Sequence, residues 1–246
     1  MTKNFGTFTG IGVGPGPQEY ITVKSFNSLM KADKVLVPRA KGSRESVALT
    51  CIRDIDIPQN KIEFLDYPMS NDESLLSSIY RKIAEKIIAD LRKNLNLVYI
   101  TIGDPYIYST YCYTVNALKE LMPEIPISTY PGISSFQALS SALNFPLGQG
   151  KEKVLILPCP ETPGELREHI ERNENVVLMK IGDRFEWVRN LLSEMDILKH
   201  CALGKRIGLD NEILTRDLIG LNGDDKPGYL SVVLIRKSPV QGRNGH

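Results

Sequence analysis

Leu97-Val98-Tyr99-Ile100-Thr101-Ile102-Gly103-Asp104-Pro105 is the stretch that decides the fold. An apolar run of strand length, rich in β-branched and aromatic residues, stops abruptly at a glycine, an acid and a proline. It reads as a buried strand whose carboxyl end opens into a loop. Immediately upstream, Ser74–Lys93 has helical period, with Leu75, Leu76, Ile79, Ile83, Ile87, Ile88 and Leu91 in one apolar stripe and lysines and arginines elsewhere. A helix feeding such a strand is half of a β-α-β unit.

Working outward, Thr7–Val13, Lys34–Val37, Ile62–Leu65 and Ile127–Tyr130 read as further strands, with helical segments between several of them, so the expected sheet is mostly parallel. A second set follows: strands at Val154–Leu157, Asn175–Met179, Arg206–Leu209 and Tyr229–Arg236, with helical segments near Pro163–Glu171 and Phe185–Leu192. Thr162-Pro163-Gly164-Glu165 reads as a capping box that starts the first of these helices. The expectation is an α/β protein of two domains, 1–131 and 132–246, the first with a mostly parallel sheet and the second with a mixed one. Residues Gln241–His246 are predicted to be disordered.

Three glycine-bearing loops follow strand ends. The first is Gly10-Ile11-Gly12-Val13-Gly14-Pro15-Gly16, where missing Cβ atoms let backbone approach a ligand closely. A dinucleotide site would also want an acid at the end of the second strand, but Lys34-Val35-Leu36-Val37 runs into Pro38 and Arg39. Pro15 supplies no N–H to a phosphate, so the loop suits a cofactor without phosphate. The second loop is Gly103-Asp104-Pro105. Asp104 as N-cap and Pro105 at N1 can simply start a helix over Tyr106–Leu121, and a cap carboxylate at a cleft can also meet a ligand. The third, Tyr130-Pro131-Gly132-Ile133-Ser134-Ser135, opens a helix reaching to about Leu143, capped by Ser134 or Ser135. Singly, each loop is explained by turn and cap chemistry; together, at one sheet edge, they outline a cleft for a small cofactor.

Composition narrows the classes. Thirty basic and twenty-nine acidic residues in 246 leave a formal charge of +1, without the field of a nucleic-acid binder. Cys51, Cys112, Cys159 and Cys201 form no CxxC pair and no ligand spacing with His169, His200 or His246, so no metal is expected and the thiols read as reduced and mostly buried. No run approaches the length of a membrane span, and the first residues lack an apolar signal core, so a cytoplasmic protein with no membrane or nucleic-acid partner is expected. No P-loop and no G-x-S-x-G elbow occur.

Gly12-Val13-Gly14-Pro15-Gly16, then Gly103-Asp104-Pro105 followed by Tyr108-Ser109-Thr110, then Pro131-Gly132-Ile133-Ser134-Ser135, in this order and at these separations, resembles the tetrapyrrole (corrin/porphyrin) methylase family. The likeness runs from Gly6 to about Lys237, with Val176–Lys180 and 229–233 similar to the family's second-domain strands. Tyr67-Pro68-Met69-Ser70 and Ser134-Ser135-Phe136-Gln137-Ala138 look like the family's C20-methyltransferase branch. The resemblance implies a homodimer of bilobed chains, S-adenosylmethionine held in a trough between two α/β domains, and methylation of C20 of precorrin-2 or cobalt-factor II in cobalamin biosynthesis. The alternatives to this reading are a family methylase acting at another ring position, or a binding module of the same fold without turnover.

Carried over by position, the resemblance implies cofactor contacts from Pro15, Ile102, Gly103, Asp104, Ile107, Ser134, Ser135 and Met179. After methyl transfer the ring must lose a proton, and Asp104 is the carboxylate expected to serve as base or substrate anchor. The substrate carries several carboxylates, which suits Arg39, Lys41, Arg44 and Arg53, with Tyr108 and Ser109 as further candidate contacts. The alternative for the basic segment is a solvated loop.

Overall fold

The computed structural model describes residues 5–70, 72–221, 228 and 230–239. The chain divides between Ser134 and Ser135 into two compact units.

The first unit contains, in chain order, β1 (Phe8–Gly12), α1 (Val23–Met30), β2 (Lys34–Ala40), α2 (Val47–Thr50), β3 (Ile62–Tyr67), α3 (Glu73–Leu91), β4 (Leu97–Thr101), α4 (Thr110–Leu121) and β5 (Ile127–Tyr130). Its five strands are parallel in the order β3-β2-β4-β1-β5. Both faces are covered, as a parallel sheet requires. Leu36, Phe8 and Tyr99 join Ile83, Ile87 and Leu91 of α3 and Val115 and Leu118 of α4 in one core cluster. Val35 and Val37, equally buried, alternate with Leu36 and so point to the opposite face, where α2 packs on β2.

α3 begins where Asp72 accepts hydrogen bonds from the N–H groups of Ser74 (2.9 Å) and Leu75 (3.1 Å). Its apolar stripe is buried from Ile83 to Leu91, while Leu75 in the first turn stands 43% exposed, beyond the reach of the core. At the opposite end of the sheet from the loops, Lys34 pairs with Glu63 at 3.0 Å and with Asp90, and Lys86 and Lys93 complete the cluster.

The second unit contains α5 (Ser135–Ala142), β6 (Val154–Pro158), α6 (Pro163–Arg172), β7 (Asn175–Met179), α7 (Phe185–Glu194), β8 (Cys201–Lys205), β9 (Ile213–Thr215) and β10 (Ser231–Arg236). The strand order is β6-β7-β10-β8-β9, with β6 and β7 parallel and the other pairs antiparallel. The expected mixed sheet is therefore present. Its core gathers Leu166 and Ile170 of α6, Val188 and Leu192 of α7, and Val176, Leu203 and Val233 of the strands. Thr162 accepts from the Glu165 N–H at 3.3 Å with Pro163 at the first helical position, as its sequence pattern predicts. Arg236 is fully buried; its guanidinium grips both oxygens of Glu152 at 2.6 and 2.8 Å and donates to the Pro146 carbonyl, which makes the ion pair tolerable inside the fold.

Three expectations need correction, and one strand was missed. The strand predicted at Arg206–Leu209 lies at Cys201–Lys205, because these residues, buried from Cys201 to Gly204, pair with β10 while 206–209 form a turn. β9 had no counterpart in the sequence reading. β2 continues through Pro38 and Arg39 to Ala40 because β3 pairs with it over that whole length. The helix predicted from Tyr106 begins at Thr110, with Ser109 as its N-cap, so neither Asp104 nor Pro105 starts it. Tyr229, the expected first residue of the last strand, and Gln241–His246 lie outside the described residues.

Candidate functional site

β1 runs between β4 and β5, so the loops that follow these strands leave adjacent positions on one carboxyl edge, where open α/β sheets receive ligands. Register aligns Gly12 with Thr101 and Ile11 with Tyr130. Segments separated by roughly 90 and 30 residues in the chain thus become neighbours through hydrogen bonds alone.

The three glycines interlock. A Cβ on Gly12 would stand 2.3 Å from the Gly103 carbonyl oxygen and 2.5 Å from the Gly132 Cα, and one on Gly132 would stand 2.1 Å from that same oxygen. Only hydrogen at both positions allows the Gly103 carbonyl to sit between them. Gly103, at φ +68°, donates its N–H to the Gly14 carbonyl at 2.9 Å, while its own Cβ direction meets nothing nearer than 3.9 Å, the Ser134 Cα. That open side is where a ligand can approach the backbone.

Asp104 closes the arrangement. Its Oδ1 accepts from the Tyr106 N–H at 2.9 Å, an Asx turn that holds 105–108 out of the helix, and its Oδ2 accepts from the Gly132 N–H at 3.1 Å. A second clasp lies beside it: Thr129 Oγ1 hydrogen-bonds the hydroxyls of Tyr106 (3.3 Å) and Tyr111 (2.6 Å). The Tyr111 ring passes under β1 where Gly10 leaves room; a Cβ there would fall 2.1 Å from the ring. Burial pushes the Tyr111 hydroxyl far above its ordinary pKa, so it remains a neutral partner of Thr129. Beneath β4, Tyr99 donates to Tyr67 at 3.1 Å and Tyr67 meets Thr114 at 2.9 Å; burial pushes Tyr99 up to about 12.

The sequence-predicted cofactor residues of the first unit fall on these loops. Pro15 is buried, Ile102, Gly103, Asp104 and Ile107 are partly exposed, and Ser134 is buried at the end of the third loop. In the second unit, Ser135 opens α5, and Met179 ends β7 half-buried, its carbonyl accepting from the Cys159 N–H at 2.7 Å. Gly12, Gly132, Tyr106 and Thr129 were not among the site residues expected from sequence. The paired glycines at strand ends were the available signal; the two clasps had none.

The basic segment is dispersed. Arg39 sits opposite Asp66 in the β2–β3 register, bonded at 2.8 and 3.3 Å, and lies over the Phe64 ring at 4.3 Å; it holds the Asp66 carboxyl below its usual range. Lys41, Arg44 and Arg53 are exposed, Arg53 beside Asp54 at 3.9 Å. Ser109 is buried, accepts from the Tyr111 N–H at 3.0 Å and meets Thr101 Oγ1 at 3.0 Å, so its hydroxyl serves the helix start. Tyr108 is 42% exposed and held at φ +52°.

No lysine or arginine occurs in 10–16, 101–108 or 130–135; the one charge is the Asp104 carboxylate. Phosphate groups want cations, which these loops do not offer. Backbone carbonyls, apolar Pro15, Ile102 and Ile107, and one acid fit a cationic cofactor without phosphate, and S-adenosylmethionine is of that kind.

The profile of the Tetrapyrrole (Corrin/Porphyrin) Methylases matches residues 7–221. A protein of Methanocaldococcus jannaschii named probable cobalt-precorrin-2 C(20)-methyltransferase is 33% identical over 243 residues, 96% of this chain and 99% of its own. The cobalt-precorrin-2 C(20)-methyltransferase of Salmonella typhimurium is 25% identical, covering 94% of this chain and 97% of its own. Among solved structures, uroporphyrin-III C-methyl transferase from Thermus thermophilus, complexed with S-adenyl homocysteine, shares the fold with a TM-score of 0.61 at 15% identity, over 94% of this chain and 97% of that one. Glycine loops interlocked at one sheet edge, and a family profile spanning both units, lead to one conclusion: the chain belongs to the tetrapyrrole (corrin/porphyrin) methylases.

Proposed function

We propose that this chain uses S-adenosylmethionine to methylate C20 of precorrin-2, in its cobalt-bearing or metal-free form, in cobalamin biosynthesis. The observation that carries the reading is the Gly12–Gly103–Gly132 interlock with Asp104 as its one charge, in a chain of this family. When bound, the cofactor supplies a sulfonium methyl that is already a strong electrophile. The chain therefore has to bind, align and exclude water rather than provide a covalent nucleophile.

In this reading Pro15, Ile102 and Ile107 offer apolar contact, and the open side of Gly103 and the Ser134 backbone approach the cofactor closely. Ser135 and Met179 belong to the same proposed set. Asp104, with lone pairs beyond those given to Tyr106 and Gly132, is the proposed acceptor of the ring proton. Lys41, Arg44, Arg53 and Tyr108 remain proposed ring contacts, whereas Arg39 and Ser109 are committed to Asp66 and to the start of α4. The same reading carries a cytoplasmic homodimer, which light scattering would check; among the described residues no helix is long and apolar enough to cross a membrane.

Calorimetric titration with S-adenosylhomocysteine, with NADH as control, tests the reading. Saturable binding of S-adenosylhomocysteine alone is expected; a flat titration overturns it. Turnover is then assayed first on the cobalt-loaded ring, the substrate named for the relatives at 33% and 25% identity.

A further inference from the structure

One edge of the second sheet carries charge and constrained backbone together. Register places Met179 of β7 and Gly204 of β8 on either side of Val232 of β10. The residues just beyond, Lys180 after β7 and Lys205–Arg206 at the end of β8, therefore share one edge, flanking Leu230 at the start of β10. Strands lie about 4.8 Å apart, so the two cationic positions are spaced by about 10 Å across β10.

Lys180, Arg206 and Leu230 all hold left-handed backbone, at φ +54°, +50° and +63°. Long or branched side chains rarely adopt it, so surrounding bonds must impose it. They do: the Arg206 N–H donates to the Leu230 carbonyl at 2.9 Å, the Leu209 N–H to the Arg206 carbonyl at 2.9 Å, and Arg206 Nε to the Asp210 carbonyl at 2.7 Å. Glu212, the nearest acid in sequence besides Asp210, is occupied by the Gly208 N–H at 3.1 Å. Arg206 is thus fixed at backbone and at Nε, which restrains its planar guanidinium, a group whose Nη1–Nη2 edge can grip a carboxylate with two parallel hydrogen bonds. Lys180 and Lys205 have interactions of their own within the chain and add positive potential, while the directional contact falls to Arg206.

We propose that this edge of the second sheet, with Arg206 as its bidentate contact and Lys180 and Lys205 beside it, binds carboxylate side chains of the tetrapyrrole substrate. The identity of the ligand rests on the methyltransferase reading above; the carboxylate chemistry rests on the edge itself. A ring bearing several acidic arms around its rim needs cations at spaced, fixed points, and a pre-oriented fork loses little entropy on binding.

The test titrates the protein with cobalt-precorrin-2 and with the methyl ester of that ring, beside a separate titration with S-adenosylhomocysteine. The variants are Arg206→Gly, Arg206→Lys and Lys180→Gly; glycine accepts the positive φ of both positions, and thermal melts check that all three fold. Arg206→Gly is expected to weaken ring binding about tenfold, the range of one charge-assisted contact. Arg206→Lys should lie between, Lys180→Gly should lose less, the ester should bind poorly to all, and the affinity for S-adenosylhomocysteine should not move. Equal ring affinity in wild type and Arg206→Gly, or tight binding of the ester, overturns the proposal. If the ring binds through Arg206 but S-adenosylhomocysteine does not bind, the carboxylate site stands and the methyltransferase reading falls.

Discussion

The Asp104 carboxylate accepts the Gly132 N–H at 3.1 Å, tying the loop after β4 to the loop after β5 across the end of β1, 28 residues apart in sequence. The acid proposed for catalysis is thereby also the bond that holds the cleft's backbone in place. The two roles separate by substitution. Asp104→Asn keeps one oxygen for Gly132, gives up the bond from the Tyr106 N–H because its NH2 cannot accept, and places no base there. It is expected to bind S-adenosylhomocysteine within about tenfold of wild type, while single turnover falls by about 100-fold or more. Asp104→Ala should lose binding as well. Turnover that falls only in step with binding in Asp104→Asn would leave Asp104 a clasp and no base.

The glycine interlock makes a graded prediction. Gly12→Ala and Gly132→Ala drive a methyl to within 2.3 and 2.1 Å of a backbone oxygen, and each should cost at least about 3 kcal/mol and abolish cofactor binding. Gly103→Ala has space but keeps φ +68°, at about 1–2 kcal/mol. Gly164→Ala, in α6 with nothing within 4 Å, should be neutral or slightly stabilising. Thermal melts of the four variants order them.

The charge cluster around Lys34 sets an acid limit on stability. Burial alone would raise the Glu63 and Asp90 carboxyls, but ammonium groups of Lys86, Lys34 and Lys93 outweigh it and hold both below their ordinary values. Groups depressed in the folded state stabilise it above their unfolded pKa values, about 4.3 and 3.9, and that contribution is lost as pH falls through the folded values. Lys34 is raised although burial opposes it, so its contribution is present below its unfolded pKa and lost only as pH rises through the folded value, above 10.5. Lys34→Met should cost about 2 kcal/mol at neutral pH and flatten the loss of stability below about pH 4, read by urea titration at several pH values.

Thiol chemistry gives the simplest check. Burial pushes Cys51 and Cys201 up to about 12 and Cys159 up to about 11, which suppresses thiolate as well as access. Iodoacetamide at pH 8 should label the native protein at Cys112, the partly exposed thiol, and at all four in denaturant. Mass spectrometry of native protein modified at Cys201 would contradict the buried position of β8.

The sequence by itself determined where most elements lie. The stripe from Ile83 to Leu91, the apolar runs of β1, β4 and β7 and the Thr162–Glu165 cap are local patterns, set by periodicity and by which groups can satisfy a helix end. It also supplied the three glycine loops and the absence of any cation on them. Tertiary structure decided the rest. Strand order is written in hydrogen bonds between backbones that are chemically alike, so nothing in Gly12, Gly103 or Gly132 announces that β1 lies between β4 and β5. Cys201-Ala202-Leu203-Gly204 has little intrinsic strand preference and becomes β8 because Val233 and its neighbours on β10 pair with it, while Arg206, in a more strand-like stretch, is turned left-handed instead. Asp104 read as the cap of α4, a role that falls to Ser109, and its actual partner Gly132 was not legible, because a contact made across a folded sheet edge has no spacing in the chain.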